Sequence, residues 1–127
     1  MPKKKIMCPP EGVEQATLFS WAAMRIGKYP DLTWMHHIPN GGKRGKDEAA
    51  RLKAEGVKPG VSDIFLPAPK GKYHGLYIEL KTLDGGTRSK EQKEFIKDMS
   101  AAGYYATFCA GWQQAADLIE KYLEEKI

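Results

Sequence analysis

Three side chains in the second half of this chain, Asp63, Glu79 and Lys81, have the types and spacing for metal-assisted hydrolysis. In Ile78-Glu79-Leu80-Lys81 apolar and charged residues alternate, and side chains two apart in a strand share a face. Glu79 and Lys81 therefore point together, joined by Tyr77, while Ile78 and Leu80 point the other way. Asp63 lies in the preceding apolar run beside Ile64, Phe65 and Leu66, where a carboxylate is costly to bury without a partner. Folded as a hairpin, the two runs bring Asp63 to Glu79. Two carboxylates and an ammonium converging on a sheet suit a hard divalent cation, Mg²⁺ or Mn²⁺. Phosphodiester hydrolysis needs these parts: carboxylates to hold the cation, and an ammonium to orient water and offset charge on phosphorus. An isolated E-x-K is equally a cross-strand salt bridge on an exposed face. The aspartate one hairpin earlier is what points to a site.

Two residues extend the set. Gln92 precedes Phe95, Ile96 and Met99 by three, four and seven residues, which puts it on the helix face turned to the sheet. From there it reaches bound water, phosphate or Lys81; it is also the fourth residue of a capping box opened by Ser89. Glu14, four residues before Leu18 and eight before Ala22, lies at the edge of an apolar helical stripe. It is either a third carboxylate of the site or a first-turn acid that favours the helix dipole. Glu11 rivals it for the same role.

The elements that must position these groups follow from periodicity. Leu18, Phe19, Ala22 and Ile26 mark a helix running from Pro10 to a stop at Gly27. Residues 33–38 are aromatic and β-branched enough for a strand, which Pro39-Asn40-Gly41-Gly42 ends. Residues 46–55 form a short helix. Residues 61–66 and 75–82 are the hairpin strands, Ser89 to Gly103 bound a helix, and 104–110 is a strand. Trp112, Ala115, Ala116, Ile119, Tyr122 and Leu123 define the apolar face of a final helix. The order αβαββαβα predicts an α/β sandwich around a central mixed sheet.

Two loops carry candidates for phosphate contact. Gly41 to Lys46 is glycine-rich and basic: it is either a solvated turn or a phosphate-binding loop in which Lys43, Arg44 and Lys46 bind DNA. Asn40 beside them binds substrate or takes a left-handed turn conformation. Gly85-Gly86 precedes Thr87-Arg88-Ser89 and a helix start; it reads as a loop over the site, with Arg88 a further DNA contact. It lacks the G-K-[ST] ending of a nucleotide-binding loop, so no nucleotide cofactor is expected. His36-His37 followed by Asn40 suggests an HNH nuclease, but that needs another histidine on a following helix, and His74 falls in the hairpin loop.

The bulk properties permit this chemistry. A chain of 127 residues, 42% hydrophobic and 28% charged, makes one domain with a sizeable core. We place it at 11–127, after a flexible basic tail at 1–10. Residues 1–60 carry 11 Lys/Arg against 6 Asp/Glu and residues 61–127 carry 9 against 10, so the net charge of +4 is concentrated in the first half. That asymmetry suits a polyanion. No apolar run approaches the roughly 20 residues of a membrane span, and nothing reads as a signal peptide, so a cytoplasmic protein without membrane partners is expected. Cys8 and Cys109 have no metal-ligand spacing.

Together the pieces resemble a known family. Glu14, then G56-V-K-P-G-V-S-D63, I78-E-L-K81 and S89-K-E-Q92, with Ile38 to Gly42 as I-P-N-G-G, resemble the VRR-NUC (virus-type replication-repair nuclease) domain of the PD-(D/E)xK superfamily. The similarity spans about residues 11–123. It implies a restriction-endonuclease-like core, with Asp63 and Glu79 as Mg²⁺/Mn²⁺ ligands and Lys81 as catalytic lysine. It further implies Gln92 as helper and Glu14 as auxiliary carboxylate. Standalone phage and bacterial members imply a homodimeric endonuclease acting on branched DNA, including four-way (Holliday) junctions. One departure is Ser62, where the family has proline, a residue that would fix φ at the start of the strand. The other classes to weigh are a non-catalytic nucleic-acid-binding module, for which a costly carboxylate pair has no use, and a nuclease acting on flaps or duplex. A sequence-reading restriction enzyme needs a recognition domain that 127 residues do not hold.

Overall fold

The computed structural model describes residues 8–40 and 45–127. It contains α1 (Glu11–Arg25), a 3-10 helix (Pro30–Trp34), β1 (His36–His37), α2 (Lys46–Ala54), β2 (Ile64–Leu66), β3 (Leu76–Lys81), α3 (Lys90–Ala101), β4 (Tyr105–Ala110) and α4 (Trp112–Leu123). The four strands form one mixed sheet in the order β1-β2-β3-β4. Its first two pairings are antiparallel and the β3–β4 pairing is parallel. A parallel pair needs a crossover, and α3 supplies it. The observed order is the expected αβαββαβα.

The two faces of β3 do different work. Leu76, Ile78 and Leu80 are all but fully buried, with Ile64 and Leu66 beside them on β2. They pack under α1 and α4, whose Leu18, Trp21, Ala22, Ala115, Ile119 and Tyr122 complete the core. Each such buried Leu or Ile contributes about 2 kcal/mol of apolar burial. The opposite face carries Tyr77, Glu79 and Lys81 toward α3. There Tyr77 stacks on Phe65 at 4.3 Å and meets Phe95 of α3 edge-on at 5.1 Å. The apolar layer on this side is thin, and no residue of α3 is fully buried. Buried charges sit on the more weakly covered face.

Two expected strands are shorter than their sequence suggests. Residues 33–38 divide into the end of a 3-10 helix and a two-residue strand. Pro30 fixes the first φ of that helix, the Thr33 hydroxyl donates to the Pro30 carbonyl at 2.7 Å, and Leu32 is anchored in the core. The run 61–66 is a strand only from Ile64. The Asp63 carbonyl accepts instead from the Ile38 amide at 2.6 Å. Asp63 therefore stands at the mouth of the strand, not in its interior.

Candidate active site

The β2–β3 register pairs Ile64 with Ile78, which sets Asp63 opposite Glu79. The backbone locks the pair: the Asp63 amide donates to Glu79 Oε2 at 3.2 Å, and the Leu80 amide donates to Asp63 Oδ2 at 2.9 Å. Lys81, 6% exposed, holds its Nζ 3.6 Å from Glu79 Oε1 and donates to Gln92 Oε1 at 3.0 Å. Gln92 returns its Nε2 to Glu79 Oε1 at 2.8 Å. The same Gln92 Oε1 accepts from the Ser89 amide at 3.0 Å, while the Gln92 amide donates to the Ser89 hydroxyl at 3.1 Å. Capping α3 and bridging Glu79 to Lys81 are thus one arrangement, not alternatives. The helix start and the side-chain cluster are joined through a single amide.

This geometry crowds negative charge. Burial and then the Asp63 charge push the Glu79 carboxyl up to about 8, with Lys81 only partly offsetting them. Burial also raises Asp63, against the opposing pull of the Leu80 amide, His37 and Lys81. Glu11 is raised as well, by burial and then by Asp63. One ammonium does not balance these carboxylates, and a divalent cation would. Among the described residues no three His, Cys, Asp or Glu side chains form an all-protein cage. A pair of carboxylates with water completing the shell is the donor set Mg²⁺ accepts, so Asp63 and Glu79 fit the ion that the sequence implies.

Of the two rival carboxylates of α1, one caps a neighbouring helix and the other meets the cleft. Glu14 is 3% exposed, and its Oε2 accepts from the Trp112 amide at 2.6 Å, capping α4. Gly111 before that helix has no side chain to do so. Glu11, one turn earlier, lines a cleft of about 340 Å³ with His37, Asn40 and Asp63. The helical stripe was the misleading signal: a carboxylate at its inner edge is placed to cap a neighbouring helix, and the outer one meets the cleft. His37 is a residue the sequence did not select for the site. Its Nδ1 lies 2.8 Å from the Asp63 carbonyl, a position set by the β1–β2 pairing. His36 instead meets Phe65 edge-on, so the two histidines do not act together.

The predicted phosphate contacts are scattered. Asn40 lines the cleft and donates to the Val61 carbonyl at 3.2 Å. It has no left-handed φ: among the described residues Glu125 alone of the non-glycines does. Lys46 is the exposed first residue of α2, and Arg88 lies over the Phe108 ring at 4.3 Å. Lys43, Arg44 and the tail at 1–7 lie outside the described residues. The glycine loop lies against the Lys81 stem. Asp84 accepts from the Thr82 hydroxyl and the Gly86 amide, and a Cβ on Gly86 would stand 3.2 Å from the Lys81 stem.

Two residues of the G-V-x-x-G-V-S-D segment have clear structural consequences. Gly60 has φ +90°, and a Cβ there would overlap the Glu91 carbonyl oxygen. The loop into β2 therefore rests directly on the first turn of α3. Ser62 is fully buried, and its Oγ has no hydrogen-bond partner among the described residues.

No family model and no curated protein matches the chain. A solved structure described as "VRR_NUC domain protein" does, with a TM-score of 0.80 and 29% identity, over 94% of this chain and 92% of that one. The chain has the fold of a VRR-NUC domain protein. Its sheet and helices are those of a nuclease-domain family with a restriction-endonuclease-like core. In this VRR-NUC-like domain the D…E-x-K residues and the S-x-x-Q helix start meet at one end of the β2–β3 pair. No helix among the described residues is long and apolar enough to cross a membrane.

Proposed function

We propose that this domain is a divalent-metal-dependent endonuclease that cleaves DNA, with branched DNA such as four-way junctions as its preferred substrate. The observation that carries the proposal is the part-buried cluster Asp63–Glu79–Lys81–Gln92, which leaves two carboxylates with too little positive charge beside them. In this proposal Asp63 and Glu79 hold Mg²⁺ or Mn²⁺, with Glu11 in place of Glu14 as the nearby third carboxylate. Such an ion, when bound, would supply polarisation of the scissile phosphate and acidification of water. Lys81 has three N–H donors. One is held by Gln92 and one is directed at Glu79, so the third is free for the attacking water or a phosphate oxygen. Gln92 keeps that ammonium from turning away. Asn40, Lys43, Arg44, Lys46 and Arg88 supply phosphate contacts, which position the strand without reading sequence. The branched-substrate preference rests on the family resemblance.

The test is cleavage of a labelled four-way junction beside linear duplex, flap and single-stranded controls, in Mg²⁺, Mn²⁺ or EDTA. Paired symmetric nicks, abolished by EDTA and lowered at least about 10³-fold by Asp63→Asn or Glu79→Gln, are expected. Cutting of flaps or duplex in preference to the junction overturns the substrate and keeps the nuclease. Binding without cleavage under any metal overturns catalysis and leaves a nucleic-acid-binding module.

A further inference from the structure

The cleft beside Asp63 holds a nitrogen donor that the proposed reaction leaves idle. His37 Nδ1 lies 2.8 Å from the Asp63 carbonyl, which also accepts from the Ile38 amide at 2.6 Å. A carbonyl oxygen only accepts, so Nδ1 carries the hydrogen and, in the neutral ring, Nε2 carries the lone pair. Among the described residues Nε2 has no hydrogen-bond partner. The His37 ring is exposed and lines the cleft of about 340 Å³ with Glu11, Asn40 and Asp63. Burial raises both Glu11 and Asp63, and the ring is near enough to offset part of that rise in each. An imidazole that gives one N–H to a backbone carbonyl and keeps its other nitrogen free beside carboxylates has the arrangement of metal-bound histidines, whose outer hydrogen bond fixes tautomer and ring orientation. Here the carbonyl belongs to Asp63. One residue therefore orients the ring through its backbone and lines the same cleft with its side chain.

We propose that His37 Nε2 is a nitrogen ligand of the cation site, and that it makes the site favour a first-row transition ion such as Mn²⁺ over Mg²⁺. The inference rests on the reading of Asp63 and Glu79 as metal ligands and adds to it the choice of ion. Carboxylates and water alone suit Mg²⁺. An imidazole shifts the preference, because nitrogen donors favour transition ions while Mg²⁺ keeps to oxygen. Among the described residues no three acid or histidine side chains close a cage, so such a site keeps positions for water and a phosphate oxygen.

The other two histidines are placed differently. His36 Nδ1 lies 2.9 Å from the Trp34 carbonyl, and its ring meets Phe65 edge-on. His74 precedes β3 at the end away from Lys81, where its amide donates to the Gly103 carbonyl at 2.9 Å. Neither lines the cleft with Asp63.

The experiment is Mn²⁺ titration of the full chain without DNA, read by electron spin-echo envelope modulation and by competition with Mg²⁺, so no cleavage is needed. The wild type is expected to show nitrogen modulation from a bound imidazole and to prefer Mn²⁺ about tenfold or more. His37→Asn keeps an N–H near the Nδ1 position and lacks Nε2. It is expected to lose the nitrogen signal and about tenfold in Mn²⁺ affinity, with Mg²⁺ affinity nearly unchanged. His36→Asn is expected to alter neither. Mn²⁺ that binds through Asp63 and Glu79 without a nitrogen signal, or with one that survives His37→Asn, overturns the proposal and leaves the carboxylate site standing. Equal affinity for the two ions overturns the preference. A wild type that binds no Mn²⁺ overturns the proposal and the carboxylate site together.

Discussion

Burial of Glu79 beside Asp63 with one ammonium in reach gives the metal-free protein a specific pH dependence. The Glu79 carboxyl moves from 4.5 to about 8 on folding, so the folded state holds a proton that the unfolded chain has released. Stability is therefore fully present below about pH 4.5 as far as this group is concerned, and it declines as pH rises toward 8. In EDTA, thermal unfolding should show this fall, and Glu79→Gln should flatten it. Asp63 and Glu11, raised as well, leave a shallower fall; a slope unchanged by Glu79→Gln would place the excess charge elsewhere. Ser62 makes a separate prediction. Its buried hydroxyl lacks a partner, so Ser62→Ala should raise stability by about 1 kcal/mol in denaturant titration and leave cleavage unchanged.

At the scale of elements, the two glutamates of α1 separate fold from site. Glu14 joins α1 to the first amide of α4; Glu14→Gln should lower stability by about 1–2 kcal/mol without reducing the activity of the folded fraction. Glu11→Gln should do the reverse, lowering cleavage with little effect on unfolding. Equal behaviour of the two would contradict the assignment. This division was not legible in the sequence, because both residues fall in the first turn and periodicity locates a face without saying what lies across from it. The order of elements was legible, since the apolar alternation of residues 76–81 and the stripe of α4 are strong patterns. So was the convergence of Asp63, Glu79, Lys81 and Gln92, because a hairpin register and one helical turn fix those distances. The 3-10 helix was hidden by Thr33 and Trp34, which favour strands locally but are overruled by Pro30 and the burial of Leu32. The place of His37 depends on a pairing between segments 26 residues apart, which no local pattern encodes.

For the molecule as a whole, charge and surface should set binding to DNA. If Lys46 and Arg88 each contact a phosphate, Lys46→Ala and Arg88→Ala will each reduce the slope of log affinity against log salt by about one and weaken all sequences alike. An unchanged slope would remove that residue from the interface. The contact between Gly60 and the first turn of α3 bears on how damage to this protein would be scored. Any side chain at position 60 must push away Glu91, and Gln92 follows Glu91 directly. In a genetic selection for lost cleavage, Gly60→Ala should therefore be recovered beside alleles of Lys81, although residue 60 presents no reactive group. The two genotypes would part company under a suppressor search: a second change that lets α3 shift aside could rescue the glycine allele, and none could rescue the missing ammonium.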